Sequence, residues 1–168
     1  LSPMAGALRT GALGLVAILT LAIGPVLGEE KNLLDNPSFL EKGADPVILN
    51  RTVARAEALA SGLQCRFGPI ELIEKLSYDL VINATSVGMA PRAESTPLHK
   101  AVLKDVLVFD TVYNPLKTRL IREAEERGCP TVTGLEMFVN QAALQFELWT
   151  GQKAPLDFMK DVAAQELA

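Results

Sequence analysis

The chain has one histidine, two cysteines and no surplus of basic residues among its 168. His99 lies in a polar loop with no visible partner, which argues against a Ser-His-Asp triad or a zinc site and predicts a solvated imidazole. Cys65 and Cys129 are far apart in sequence and lack metal-ligand spacing. They could pair, but the reading adopted is two reduced, buried thiols of a cytosolic protein. The formal charge of −4 points away from nucleic acid. A hydrophobic content of 49% argues against a disordered tail. No internal repeat or low-complexity tract appears, and the length suffices for one domain with a real core.

The chain opens on Leu1 rather than Met, as a fragment of a longer product would. Residues 11–28, GALGLVAILTLAIGPVLG, are uncharged, with Arg9 before them and Glu29-Glu30-Lys31 after. That length straddles a signal-peptide core and a short membrane span. A buried element of an α/β core reads equally apolar, and Gly24-Pro25 would break a spanning helix. The buried element is the reading adopted, with export or membrane attachment as the alternative.

Beyond residue 40 short β-rich runs alternate with amphipathic stretches, the pattern of a parallel sheet covered by helices. Strands are predicted at Val47–Leu49, Gln64–Phe67, Leu80–Asn83, Val106–Asp110 and Thr131–Thr133. Helices are predicted at Val53–Ser61, Ile70–Leu76, Leu116–Arg127, Leu135–Thr150 and Leu156–Glu166, with a short turn near Leu98–Val102. Gly62, Gly128 and Gly151 fall where left-handed C-caps would stop helices. In Leu116–Arg127 the charges Arg119, Arg122, Glu123 and Glu126 read as a solvated face, opposite Leu116, Leu120, Ile121 and Ala124. Met137, Phe138, Phe146 and Trp149 read as core on the last long helix. Met89–Lys100 reads as a surface loop. Asn50-Arg51-Thr52 and Asn83-Ala84-Thr85 match glycosylation acceptors but sit at strand ends of a cytosolic fold, and are discounted.

Ligands of such sheets bind beyond the carboxyl ends of the strands. Four strand ends there carry polar or glycine-bearing loops: Asn50-Arg51-Thr52, Asn83 to Met89, Asp110 to Pro115, and Thr133-Gly134. The first is the most telling. An acidic residue after the second strand of a nucleotide-binding βαβ unit suits the ribose 2′-hydroxyl of NAD, whereas a neutral residue with arginines suits the 2′-phosphate of NADP. Here Asn50 is neutral, and Arg51 and Arg55 flank it. Thr52 can cap the following helix, whose N-terminal end also favours an anion.

Taken together, four motifs resemble the C-terminal, NADP-binding domain of the shikimate dehydrogenases. They are Asn50-Arg51-Thr52, Asn83-Ala84-Thr85-Ser86-Val87-Gly88-Met89, Asp110-Thr111-Val112-Tyr113 and Gly134-Leu135-Glu136-Met137-Phe138-Val139-Asn140-Gln141-Ala142. The likeness covers about residues 40–168. It extends to the stand-alone enzymes and to the corresponding half of bifunctional dehydroquinate dehydratase/shikimate dehydrogenases. It implies an α/β fold, a Rossmann-like parallel sheet with helices on both faces, and a domain at 40–168 behind an atypical segment at 1–39 that leaves the N-terminal half incomplete.

The resemblance also implies roles. Arg51 and Arg55 would pair with the 2′-phosphate, Arg51 also stacking on the adenine. Asn50 and Thr52 would hold the phosphate by hydrogen bonds. The loop with Asn83, Thr85, Ser86 and Gly88 would run under the cofactor, Gly88 permitting a positive φ. Thr111 would make a backbone contact near the nicotinamide, and Gly134 would let the backbone approach its carboxamide. Tyr113 and Gln141 would face the substrate, Gln141 two turns beyond Gly134 on the same helical face.

The family interconverts 3-dehydroshikimate and shikimate in aromatic amino acid biosynthesis (the chorismate pathway). Hydride passes to or from the cofactor, while a lysine and an aspartate of the other domain move the proton. Two departures from the pattern stand out. No Ser-x-Asn-Val-Thr-x-Pro-x-Lys run occurs, so no catalytic residue is assigned. The glycine-rich diphosphate turn expected some 20 to 25 residues before Asn50 is replaced by Gly24-Pro25-Val26-Leu27-Gly28-Glu29-Glu30, and Gly6-Ala7-Leu8-Arg9-Thr10-Gly11 is a poor substitute. The expectation is an NADP-dependent oxidoreductase by descent, inactive alone, cytoplasmic, with a small-molecule substrate, no metal and no nucleic acid, and with room for a homodimer. The alternatives are a non-catalytic nucleotide-binding module and a membrane-attached degenerate homologue.

Overall fold

A computed structural model describes the backbone of residues 14–19 and the whole of residues 44–167. Six parallel strands form one sheet: β1 (Gly14–Leu19), β2 (Asp45–Leu49), β3 (Arg66–Gly68), β4 (Leu80–Ala84), β5 (Leu107–Asp110) and β6 (Thr131–Val132). Their order is β3-β2-β1-β4-β5-β6. That is the doubly wound nucleotide-binding order, with the reversal between β1 and β4. The apolar run therefore supplies the central strand, and the sheet is not short of its N-terminal half. The remainder of that run, and the two glycine-bearing stretches near Gly6 and Gly24, lie outside the described residues. No described helix is long and apolar enough to cross a membrane.

β2 shows why the helices lie on two faces. Val47, Ile48 and Leu49 are all buried, as expected of a parallel strand covered on both sides. Val47 and Leu49 join Val81, Val108, Leu120 and Ala124 in one core cluster. Ile48 points the other way, onto Ala56 and Ala60 of α1 (Val53–Leu63). The small alanines let that helix lie close to the sheet.

Several element boundaries differ from expectation. α1 runs through Gly62 to Leu63, and Gln64 adopts the left-handed conformation at φ 52°. Gly128 and Gly151 do take positive φ, at 73° and 67°. Residues 70–75 form a 3-10 turn rather than an α-helix, held between Pro69 and the extended Leu76. The predicted Leu116 helix starts at Arg119 instead: α2 is Arg119–Glu126, and Thr118 is its N-cap, accepting from the Ile121 N–H at 3.3 Å. A second 3-10 turn, Lys100–Val102, is capped by His99, whose Nδ1 accepts from the Ala101 N–H. The imidazole is exposed but has a partner after all.

α3 (Gly134–Thr150) starts at a reciprocal capping box of Thr133 and Glu136. α4 (Leu156–Leu167) packs back on it. Trp149 is 77% exposed and Phe138 43%, so neither is the core residue its helical position suggested. Their face of α3 projects beyond the sheet, where no described element covers it completely.

Candidate functional site

The parallel sheet brings the four polar loops to one edge, at the carboxyl ends of β2, β4, β5 and β6. At the tip of β2, Asn50 is buried and its Oδ1 accepts from the Thr52 N–H at 2.8 Å. This Asx turn ends the strand and aims the chain into α1. Thr52 takes the N-cap position with extended backbone, but its side chain makes no cap bond. Asn50 already satisfies the local backbone, so the Thr52 hydroxyl is left exposed at the helix entrance. Arg51 and Arg55 are exposed, and neither guanidinium forms an ion pair or hydrogen bond among the described residues.

The β4 loop is organised by a buried polar network. Asn83 Oδ1 accepts from the Thr85 N–H at 3.1 Å and from its hydroxyl at 2.7 Å. Thr85 Oγ1 in turn accepts from the Val87 N–H at 3.0 Å. Asn83 Nδ2 donates to Asp110 Oδ1 at 2.9 Å, which locks the tip of β4 to that of β5. Ser86 stays exposed, and Gly88 turns the chain at φ +95°. A Cβ at Gly88 would also meet the Ser95 carbonyl oxygen at 3.2 Å.

Asp110 is the hub of the adjoining loop. Its Oδ1 accepts from the Val112 N–H at 3.0 Å and its Oδ2 from the Thr118 hydroxyl at 2.6 Å. Burial pushes the Asp110 carboxyl above its ordinary value, while the three donors pull the other way. Both the N–H and the hydroxyl of Thr111 donate to the Asn83 carbonyl, each at 3.0 Å. The carbonyls of Thr111 and Val112 press against Gly134, where a Cβ would collide with the Val112 carbonyl and lie 2.7 Å from the Thr111 oxygen. Gly134 is thus demanded by the meeting of the β5 loop with α3.

These loops enclose two different surfaces. A small cleft of about 80 Å³ joins the β2 and β4 tips, lined by Asn50, Arg51, Ile70, Thr85, Thr96 and Pro97. Toward the other side, Tyr113 stacks on Phe138 with ring centroids 5.4 Å apart. That pair borders an apolar groove of about 460 Å³ between α3 and α4. Three strand spacings separate β2 from β5, roughly 14 Å across the crevice. A further depression of about 530 Å³ beside Tyr78, Val102 and Lys104 lies at the opposite edge, near the amino ends of β4 and β5. The polar loops, and not that larger hollow, mark the ligand-binding edge.

Residues 134–163 match the family model described as the shikimate 5′-dehydrogenase C-terminal domain. A shikimate dehydrogenase (NADP(+)) of Archaeoglobus fulgidus is 39% identical over 137 residues, covering 77% of this chain and 51% of the relative. The chloroplastic bifunctional 3-dehydroquinate dehydratase/shikimate dehydrogenase of Arabidopsis thaliana is 49% identical over 121 residues, covering 68% of this chain and 20% of that protein. The shikimate 5-dehydrogenase of Thermus thermophilus, solved with NADP(H) and shikimate, superposes with a TM-score of 0.71 at 30% identity. That match covers 94% of this chain and 56% of the other. The chain carries the C-terminal domain of the shikimate dehydrogenase family. It spans about half the length of the stand-alone relatives it matches.

Within this shikimate dehydrogenase domain, the structure gathers Asn50, Arg51 and Thr85 on one cleft and sets Thr52 and Arg55 beside it on the α1 entrance. Tyr113 lies apart, on the groove side. Gln141 is exposed on α3, two turns beyond the buried Gly134. Asn83, Thr85 and Thr111 use their side chains to hold the loops together. Asp110 and Thr118 escaped the sequence reading as site builders, although an Asp closing a strand and a Thr opening a helix are recognisable signals. Ile70, Thr96 and Pro97 carried no such signal, because only the tertiary fold brings them to the cleft.

Proposed function

We propose that this chain is the cofactor-binding half of an NADP-dependent shikimate dehydrogenase. The observation that carries this reading is the pair of exposed guanidinium groups, Arg51 and Arg55, at the carboxyl tip of β2, neither of which meets a carboxylate among the described residues. An acidic residue would repel a phosphate there, whereas Asn50 is neutral and turned into the loop. The residues present fit the 2′-phosphate end of the dinucleotide. Arg51 and Arg55 would bind the phosphate, with the Thr52 hydroxyl beside them and the N-terminal end of α1 adding a favourable dipole. The planar Arg51 guanidinium would also cover the adenine over the cleft bounded by Ile70 and Pro97.

When bound, the cofactor supplies or accepts the hydride. The loop of Asn83, Thr85, Ser86 and Gly88 would form the floor of the crevice, and Thr111 and Gly134 the backbone wall at its nicotinamide end. Tyr113 and Gln141 would orient shikimate or 3-dehydroshikimate by hydrogen bonds from one side. None of these residues moves the proton on the substrate oxygen, a task left to the lysine and aspartate of the family's other domain. Reduced Cys65 and Cys129, both free thiols in the fold, accord with a cytoplasmic setting.

The test is a fluorescence titration of NADPH against the wild-type chain and Arg51→Ala. Loss of one charge-assisted contact should weaken binding about ten- to a hundredfold. An unchanged affinity would remove Arg51 from the site.

A further inference from the structure

The surface loop Met89–Lys100 supplies part of the small cleft beside β2, where Thr96 and Pro97 join Asn50, Arg51 and Ile70 in the lining. The loop is fastened at both ends. The Ala90 N–H donates to the Asn114 carbonyl at 3.1 Å, and Leu98 is buried in the main core cluster. Between these anchors the Arg92 N–H donates to the Met89 carbonyl and the Ser95 N–H to the Arg92 carbonyl, each at 3.0 Å. Those local turns fix the shape of the loop but not its place against the sheet.

Glu94 fixes its place. Arg122 Nη2 donates to both carboxylate oxygens of Glu94, at 2.9 and 2.7 Å, and Arg119 Nη1 donates to the Glu94 carbonyl at 3.1 Å. Arg119 is steadied in turn by Glu123, whose Oε1 accepts from its Nε at 2.7 Å. Among the described residues, the hydrogen bonds from residues 91–97 to another element all run through Glu94. An isolated exposed ion pair contributes little, but a bidentate pair within a charged network is the case where the contribution is largest. Neither Glu94 nor either arginine lines the cleft. In a cleft of only about 80 Å³, a shift of one wall is felt by whatever packs there.

Resting on the cofactor reading above, we propose that Glu94 is a positioning residue: its pair with Arg122 holds the Thr96-Pro97 wall against the adenine of the dinucleotide, without touching the ligand. Two tasks are then divided between two sides of one cleft. Arg51 and Arg55 discriminate between dinucleotides, whereas Glu94 sets the affinity of both, because both carry adenosine.

Isothermal titration of the full chain with NADPH and NADH tests this on wild type, Glu94→Gln, Arg122→Met and the double variant. Glu94→Gln should weaken both ligands by the same factor, about two- to fivefold, which is the range open to an exposed ion pair. Their ratio should stay at the wild-type value, a ratio that Arg51→Ala should change. Arg122→Met also releases the Lys117 carbonyl and should weaken both ligands at least as much. The double variant should be no weaker than Arg122→Met, since the two substitutions remove one shared interaction. Lys117→Gln, which breaks the pair with Glu125 beside the same helix, should leave both affinities unchanged. A change below about 1.5-fold in Glu94→Gln, too small even for an exposed pair, would overturn this inference while leaving the NADP reading intact. Additive losses in the double variant, or an equal loss in Lys117→Gln, would overturn it as well. Binding of neither dinucleotide by the wild-type chain would overturn both.

Discussion

Asp110 has no exposed surface, yet it holds three donors from three parts of the chain. Replacing it with alanine would leave the Thr118 hydroxyl, the Val112 N–H and one Asn83 amide proton without that acceptor in the interior. Each stranded group costs roughly 1–3 kcal/mol, so Asp110→Ala should destabilise the chain by about 3 kcal/mol or more, read as a lower urea midpoint. The pH dependence has a definite sign. Because burial raises the folded-state value above the ordinary carboxylate value, the folded chain holds that proton more tightly than the unfolded one. The resulting stability is fully present below the ordinary value and is lost as pH rises through the folded value. Urea midpoints compared between wild type and Asp110→Asn from about pH 3.5 upward should show wild type losing ground as pH rises. A constant difference would contradict this. At Gly134 the constraint is steric: Gly134→Ala forces a methyl group into the Val112 carbonyl. It should cost about 1–3 kcal/mol, the usual penalty of overpacking, in the same denaturation assay.

Helices and strands were legible in the sequence wherever a local signal decided them. Val47-Ile48-Leu49 reads as a buried strand because three apolar residues run directly into an Asn-led turn. The long helix starts at Gly134, one residue before the expected Leu135, at a Thr133-x-x-Glu136 capping box that is itself a sequence signal. The next helix inward starts at Arg119 and not at Leu116 because the Thr118 hydroxyl donates to Asp110 and accepts from the Ile121 N–H, which fixes Thr118 as the cap. α1 runs past the expected stop at Gly62 because Leu63 packs on the cluster of Ile48, Ala56 and Ala60, and Gln64 takes the left-handed cap instead. At this scale the capping box makes its own prediction. Thr133→Ala removes the acceptor of the Glu136 N–H and should cost about 1 kcal/mol, seen as a lowered thermal midpoint. An unchanged midpoint would mean that packing of α3, and not its cap, fixes its start.

At the scale of the whole molecule, the six-strand order brings four ordinary loops to one crevice edge, the candidate site that strand alternation alone already points to. The central strand within residues 11–28 was ambiguous by hydropathy, since a sheet core and a membrane segment are equally apolar. Only pairing to both β2 and β4 decides between them. On the proposed reading, the chain would offer cofactor contacts and one wall of a substrate pocket but no assigned proton-transfer group. With NADP and shikimate the purified chain should therefore produce no NADPH absorbance, and measurable turnover would show that proton transfer has another source. The most direct measurement is the ratio of NADH to NADPH dissociation constants for the wild-type chain, from quenching or enhancement of nicotinamide fluorescence. Guanidiniums at the β2 tip predict NADPH binding at least about tenfold tighter, the equivalent of one charge-assisted contact. Equal affinity for the two dinucleotides would contradict the assignment of that tip to the 2′-phosphate.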